Sequence, residues 1–161
     1  MSSTVTPLKH ETLVIVGNGM VGHHCIEQLI EQDALAGYDV HIVDSYAGID
    51  PDHGPFDRAV LDLPEPWQVV PHLEAVLAPG GVCVAYTPSI VQAQQVREAL
   101  RGRWIDARTI EVLHRGWHIK DQAVRPDHRM VAHTAFLTVA RFLGKGQQAM
   151  RQDQKVERIR R

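Results

Sequence analysis

Thr12-Leu13-Val14-Ile15-Val16-Gly17-Asn18-Gly19-Met20-Val21-Gly22 decides the fold. Its first part is rich in β-branched residues, has the length of a strand and stops at a glycine. From Met20 to Gln32 the period changes, and Val21, Cys25, Ile26, Leu29 and Ile30 fall on one face of a helix. Val40-His41-Ile42-Val43-Asp44 then reads as a second buried strand that ends in an acid. Together they form a β-α-β unit of about 33 residues. The G-x-G-x-x-G run sits where the first strand turns into the helix. Its first glycine permits the tight turn, its second lets backbone amides approach a ligand, and its third lets helix and strand pack closely. Helix amino-terminal amides and their dipole favour a phosphate or carboxylate there. Asp44 is placed to accept from both ribose hydroxyls of an adenosine. Gly17, Gly19, Gly22 and Asp44 are thus candidate nucleotide- or nucleoside-binding residues. The competing reading is a tight turn with no ligand.

Working outward, residues 45–55 form a Gly/Pro/Asp connector too short for a helix and another strand. Arg58 to Leu63 reads as a third strand. Pro66 to Leu77 reads as a helix with Val69, Val70, Leu73, Val76 and Leu77 inward. Pro79-Gly80-Gly81 reads as a turn and Val82 to Tyr86 as a fourth strand. Ser89 caps a helix reaching Leu100, with Ile90, Val91, Val96 and Leu100 apolar. Ile105 to His118 reads as a long strand whose antiparallel partner is Thr134 to Phe142, with a polar, basic loop over Ile119 to His133 between them. The expected fold is a single α/β domain over residues 1–161, a Rossmann-like three-layer sandwich. Its sheet is mostly parallel, with about six strands and an antiparallel edge pair. Residues 144–161 form a basic tail.

The chain has 161 residues, 44% of them hydrophobic and 22% charged. That suits one globular domain with a real core. No stretch nears the roughly 20 apolar residues of a membrane span, and Met1 to Thr6 lacks a signal-peptide pattern. The expectation is a cytoplasmic protein with no membrane partner. Cys25 and Cys83 lie in apolar segments and read as small buried hydrophobes rather than a disulfide. The net charge of -2 conceals a polarity. Residues 1–53 balance at -7 and residues 54–100 at -3, whereas residues 101–140 reach +3 and residues 141–161 reach +5. A basic carboxyl-terminal side suits a polyanion, the alternative being a solvated basic helix.

Phe56-Asp57-Arg58-Ala59-Val60-Leu61-Asp62-Leu63-Pro64-Glu65-Pro66-Trp67 carries the chemistry. A strand ends in an aspartate, followed by a proline-stiffened loop and a flat apolar ring. In an open α/β sheet, ligands sit beyond the carboxyl ends of the strands. A carboxylate beside a rigid loop and an aromatic surface suits a planar nitrogenous base. The plainer alternative has Asp62 capping the helix near Pro66 and Trp67 filling the core. Among the ten histidines, His114 and His118 would share a strand face with His128 and His133 nearby, but no recognised ligand spacing occurs and no metal is expected. His23, His24 and Glu65 read as surface residues.

Two resemblances follow from these motifs. Leu13 to His24, within residues 11–44, resembles the FAD/NAD-binding start of pyridine-nucleotide reductases, and is especially similar to the opening of the nitrite reductase large subunit. A second glycine fingerprint and the cysteines for an iron–sulfur cluster are absent. Residues 55–142 resemble the C-terminal half of the tRNA adenine-58 N1-methyltransferases. The resemblance rests on Phe56 to Trp67, on Leu77-Ala-Pro-Gly-Gly-Val-Cys-Val-Ala-Tyr-Thr-Pro88 and on Arg125-Pro-Asp-His-Arg-Met-Val-Ala-His-Thr-Ala-Phe-Leu137. The sequence thus reads as a chimera of two Rossmann-type pieces.

The second resemblance implies an S-adenosyl-L-methionine (SAM) cofactor, a tRNA substrate and a homo-oligomer, usually a tetramer. It places Asp62, Pro64, Pro66 and Trp67 along the catalytic pocket and Arg125, Pro126, Arg129, Met130, His133 and Thr134 beside it. Asp62 would also contact the cofactor. Tyr86 or Trp67 would support a base drawn from its stack. Arg115, Lys120, Arg125, Arg129, Arg141 and Lys145 would meet phosphates. Departures are plain: the family's acidic-Gly-x-Gly-x-Gly loop is replaced by Gly17 to Gly22. No counterpart of its β-rich N-terminal domain or of its third strand is read here. The first resemblance implies FAD or NAD(P) instead, as an oxidoreductase fragment. A non-catalytic chimera is the third expectation.

Overall fold

The computed structural model describes residues 10–17, 19–45, 47, 49–130 and 135–148. The glycine run does what its pattern demands. Strand β1 (Glu11–Val16) stops at Gly17, whose φ of 103° is open to glycine at little cost, and helix α1 (Met20–Glu31) begins after Gly19. Strand β2 (Tyr38–Val43) pairs parallel with β1. The chain then crosses back to β3 (Phe56–Leu61) on the other side of β1. Helix α2 (Val70–Val76) leads to β4 (Leu77–Thr87), parallel to β3. Helix α3 (Ile90–Ala99) leads to β5 (Trp104–Glu111). A hairpin, β6 (Trp117–Lys120) and β7 (Ala123–Pro126), forms a separate two-stranded sheet. Strand β8 (Phe136–Phe142) inserts antiparallel between β4 and β5.

The six-stranded order is β2-β1-β3-β4-β8-β5, so the expected mostly parallel sheet with an antiparallel addition at one side is the observed one. Right-handed crossovers that leave β1 and β3 in opposite directions put their helices on opposite faces. Burial agrees. Val14, Val16, Ala59, Leu61, Cys83, Ala85 and Ala140 face one core together with Val70, Leu73 and Val76 of α2 and Val96 of α3. Ile15 points the other way, and a Cβ on Gly22 of α1 would lie 3.1 Å from its Cγ2. That close approach is what the third glycine permits. Trp104 closes the far end of the core: its ring lies 5.2 Å from Phe142, and its Nε1 donates to Glu74 Oε1 at 2.9 Å.

Five local readings need correction. The segment read as one helix from Pro66 is a 3-10 turn (Pro66–Gln68) followed by the short α2, because Pro71 falls in the first turn, where its missing N–H costs nothing. Pro79-Gly80-Gly81 is not a turn. β4 runs through it with a register shift opposite Phe56 to Arg58, and Gly80 takes φ 84°. The long strand expected from Ile105 to His118 ends at Glu111. The polar segment after it contains the β6–β7 hairpin, turned at Asp121 with φ 53°. His114 therefore lies outside any strand and shares no strand face with His118 on β6. Ile30, Ile90 and Val91 are exposed, so the apolar stripes of α1 and α3 are narrower than their sequences imply. Ser89 does cap α3, accepting from the Gln92 N–H at 3.2 Å.

Candidate active site

The sheet register builds the site. Val43, Val16 and Leu61 are level across β2, β1 and β3, and Leu61 is level with Ala85 of β4. One residue further on, Asp44, Gly17 and Asp62 therefore leave the carboxyl edge side by side, level with Tyr86, the last residue but one of β4. Strands lie about 4.8 Å apart, so this row is roughly 15 Å long. The crossing point between β1 and β3 is where the chain order reverses, the place where open α/β sheets keep their ligand crevice.

Asp62 joins the two loops. Its backbone N–H donates to Val16 O at 2.8 Å, and its Oδ2 accepts from the Gly22 N–H at 2.8 Å. Helix α1 has no side-chain cap of its own, and Gly22 is the third residue of the helix. The carboxylate from β3 thus supplies the missing acceptor from 40 residues away. The sequence reading that had Asp62 capping the helix near Pro66 named the wrong helix. The glycines make room for it: a Cβ on Gly19 would lie 2.5 Å from Asp62 Cγ, and one on Gly17 would lie 2.6 Å from the Asp62 carbonyl carbon.

The Pro-rich loop is braced on its far side. Gln92 Nε2 of α3 donates to Pro64 O at 3.1 Å, and Gln68 Nε2 donates to Glu65 Oε2 at 2.9 Å. Pro66 is buried, Pro64 and Glu65 are exposed, and Trp67 is half-buried against the core. Trp67 therefore shores up the loop as well as bordering it. Tyr86 is half-buried on the sheet face opposite the main core, and Asp44 is exposed. A depression of about 640 Å³ opens over the first turns of α1, lined by Gly19, Met20, Val21, His23, His24 and Glu27. His23 and His24 are exposed and face Glu27.

The hairpin leaves the end of β5 and returns to the start of β8, so Arg115, Lys120, Arg125 and Arg129 belong to the carboxyl edge, whereas Arg141, opposite Val82, and Lys145, beyond Gly144 near Pro79, lie toward the amino edge and do not join them. His118 sits opposite Arg125, and Lys120 opposite Ala123. Trp117, Ile119, Val124 and Pro126 occupy the other hairpin face. Arg115, Lys120, Arg125, Arg129 and Lys145 are exposed. Among the described residues, Arg125 and Arg129 bond to neither the glycine loop nor the Pro-rich loop. Arg141 leans back to donate to Gly80 O. His133 and Thr134 lie outside the described residues, as does the tail from residue 149. No group of three metal-ligating side chains occurs among the described residues. Cys25 and Cys83 are both free; burial raises both thiols, that of Cys83 to about 12.

Solved structures place this architecture among the Rossmann-like methyltransferase folds. A SAM-dependent O-methyltransferase from Thermotoga maritima superposes with a TM-score of 0.69 at 20% identity, covering 86% of this chain and 62% of that one. A tRNA (m1A58) methyltransferase from Aquifex aeolicus superposes at 0.64, also at 20% identity, covering 86% of this chain. Of the Aquifex chain, 65% is covered. Residues 39–158 match the family described as the tRNA methyltransferase complex GCD14 subunit, and this chain belongs to it. It is 42% identical over 88 residues to the tRNA (adenine(57)-N(1)/adenine(58)-N(1))-methyltransferase of Methanocaldococcus jannaschii, spanning 53% of this chain and 31% of that protein. The tRNA (adenine(58)-N(1))-methyltransferase of Thermus thermophilus is 37% identical over 87 residues, 53% of this chain and 34% of its own length. The chain thus spans about a third of the curated relatives it matches.

Proposed function

We propose that this chain is a SAM-dependent tRNA adenine-N1 methyltransferase, or the catalytic half of one, acting on a T-loop adenine. The observation that carries it is the level row Asp44, Gly17, Asp62 and Tyr86 at the reversal point of a methyltransferase-family fold. Gly17, Gly19, Gly22, Asp44 and Asp62 are the residues that would hold the cofactor. The donor set fits a cationic one: the first 53 residues hold eight acids and one Lys/Arg, and the carboxylate of Asp62 lies at the crevice. When bound, SAM supplies the methyl group.

The remaining chemistry belongs to the chain. Adenine N1 has a lone pair, so its methylation needs no general base, but it leaves a positive charge on the ring. Asp62 Oδ2 is engaged by Gly22. Its other oxygen accepts from the exocyclic amino group, drawing electron density toward N1 and stabilising that charge. Orientation of the two reactants supplies several kcal/mol more. Tyr86 and Trp67 border the unstacked base, with Pro64 and Pro66 stiffening the rim. Arg125, Arg129 and the hairpin face carrying His118 and Lys120 meet tRNA phosphates, and His133 and Thr134 belong to the same motif. The family resemblance supports a homo-oligomer and a cytoplasmic setting. It also supports the division into a glycine-loop unit (11–44), a methyltransferase-like half (55–142) and a basic tail (144–161).

The reductase resemblance of residues 11–44 offers FAD or NAD(P) as the alternative, and yellow purified protein would favour it. The carboxylate at the start of α1 argues against a pyrophosphate there. Labelled SAM should transfer its methyl to tRNA, and Asp62→Ala should abolish the transfer. Transfer that survives this change overturns the role of Asp62; none by the intact protein overturns the reading itself.

A further inference from the structure

A helix amino terminus preceded by a glycine elbow ordinarily offers its free N–H groups to a ligand phosphate. Here the Gly22 N–H already donates to Asp62 Oδ2, and the carboxylate lies flat against Gly19. Any ligand phosphate at the elbow would meet an oxygen acceptor where it needs a donor. It would also meet a negative charge at a few ångströms in place of the positive end of the dipole.

The surroundings compensate little: His23 and His24 border the elbow, but both face the carboxylate of Glu27. The cation nearest in sequence among the described residues is Arg58, which sits on the amino-terminal half of β3 and is paired with Glu11 at 2.8 Å, toward the opposite edge of the sheet. At the carboxyl edge the row contributes Asp44 and Asp62, and the next loop contributes Glu65. The elbow therefore has the glycines of a dinucleotide fingerprint and the electrostatics of its opposite.

We propose that Asp62 is a specificity-determining residue. By capping α1 from the neighbouring strand, it makes the glycine elbow admit neutral or cationic adenosine ligands and turn away those carrying phosphate. This deepens the proposed function, resting on it for the identity of the cofactor but not for the exclusion of phosphate. It also explains how a reductase-like glycine run can serve a cofactor without phosphates.

The test is calorimetric binding of adenosine, ADP and SAM to the intact protein, to Asp62→Asn, and to Asp62→Ser. Both variants keep a neutral acceptor for the Gly22 N–H, and thermal unfolding reports that each is folded. The intact protein should prefer adenosine over ADP. Either folded variant should shift that ratio toward ADP by about tenfold or more and weaken SAM relative to adenosine. An intact protein that prefers ADP, an unchanged ratio in the variants, or no adenosine binding by any of the three overturns the proposal. Adenosine selectivity of the expected kind without SAM binding leaves it standing and defeats the methyltransfer reading instead.

Discussion

The two faces of the sheet make a useful contrast. On one, α2 and α3 seal Val14, Leu61, Cys83 and Ala85 completely. On the other, α1 is the only α-helix among the described residues, and Val60, Val82, Val84, Tyr86, Leu137 and Val139 are only half-buried. Parallel sheets usually bury both faces. Stability here is concentrated in one layer, while the candidate site lies along the edge where the two layers meet. The carboxylate that binds the loops together stands one residue beyond the end of β3, a strand shared by both faces.

The largest expected effect tests that division directly. Leu73→Ala, at a fully buried position on α2, should cost about 2–5 kcal/mol in urea unfolding. Val84→Ala, half-exposed on the other face, should cost about 1 kcal/mol. Equal losses would mean that the open face is covered in solution.

The thiols sharpen the same contrast. Cys83 lies on the sealed face and its thiol is pushed up to about 12 from 9.0 by burial, whereas Cys25 on α1 is only half-buried, its thiol also raised by burial. A raised thiol leaves stability untouched below the unfolded value. Above it the unfolded chain sheds its proton while the folded one keeps it, so stability should fall from about pH 9 to about pH 12. Cys83→Ala should flatten that decline in urea titrations, and a thiol reagent should label Cys25 well before Cys83 in the native state.

The smallest effect on stability belongs to the hairpin. Trp117→Ala and Arg125→Ala remove exposed side chains and should change unfolding by less than about 0.5 kcal/mol. Arg125→Ala should nonetheless weaken tRNA binding and lower its salt slope by about one. A salt slope that stays put would remove the hairpin from the RNA surface.

Much of this was legible in the sequence, for identifiable reasons. Apolar runs ending at Gly17, Asp44 and Asp62 located three strand ends, and the short connector after Asp44 left no room for another helix and strand before β3. Ser89 marked the start of α3. What the sequence hid was long-range or weakly patterned. The glycines at 17 and 19 looked like space for a ligand, yet much of that space is taken by Asp62, a contact no local spacing encodes. The β6–β7 hairpin escaped because His118, Lys120 and Arg125 alternate with apolar residues over only four positions per strand, too few to register. Pro79-Gly80-Gly81 carried a strong turn signal, overridden by pairing on both flanks of the shifted β4 register.

The insertion of β8 between β4 and β5 has a consequence for biosynthesis. Until the ribosome has delivered Phe136 to Phe142, β4 has one bare edge and β5 has no lateral partner at all. Such edges invite pairing with other chains. The nascent protein is therefore most exposed to aggregation in the interval between completing β5 and releasing β8, and a truncation before Phe136 would hold it there permanently.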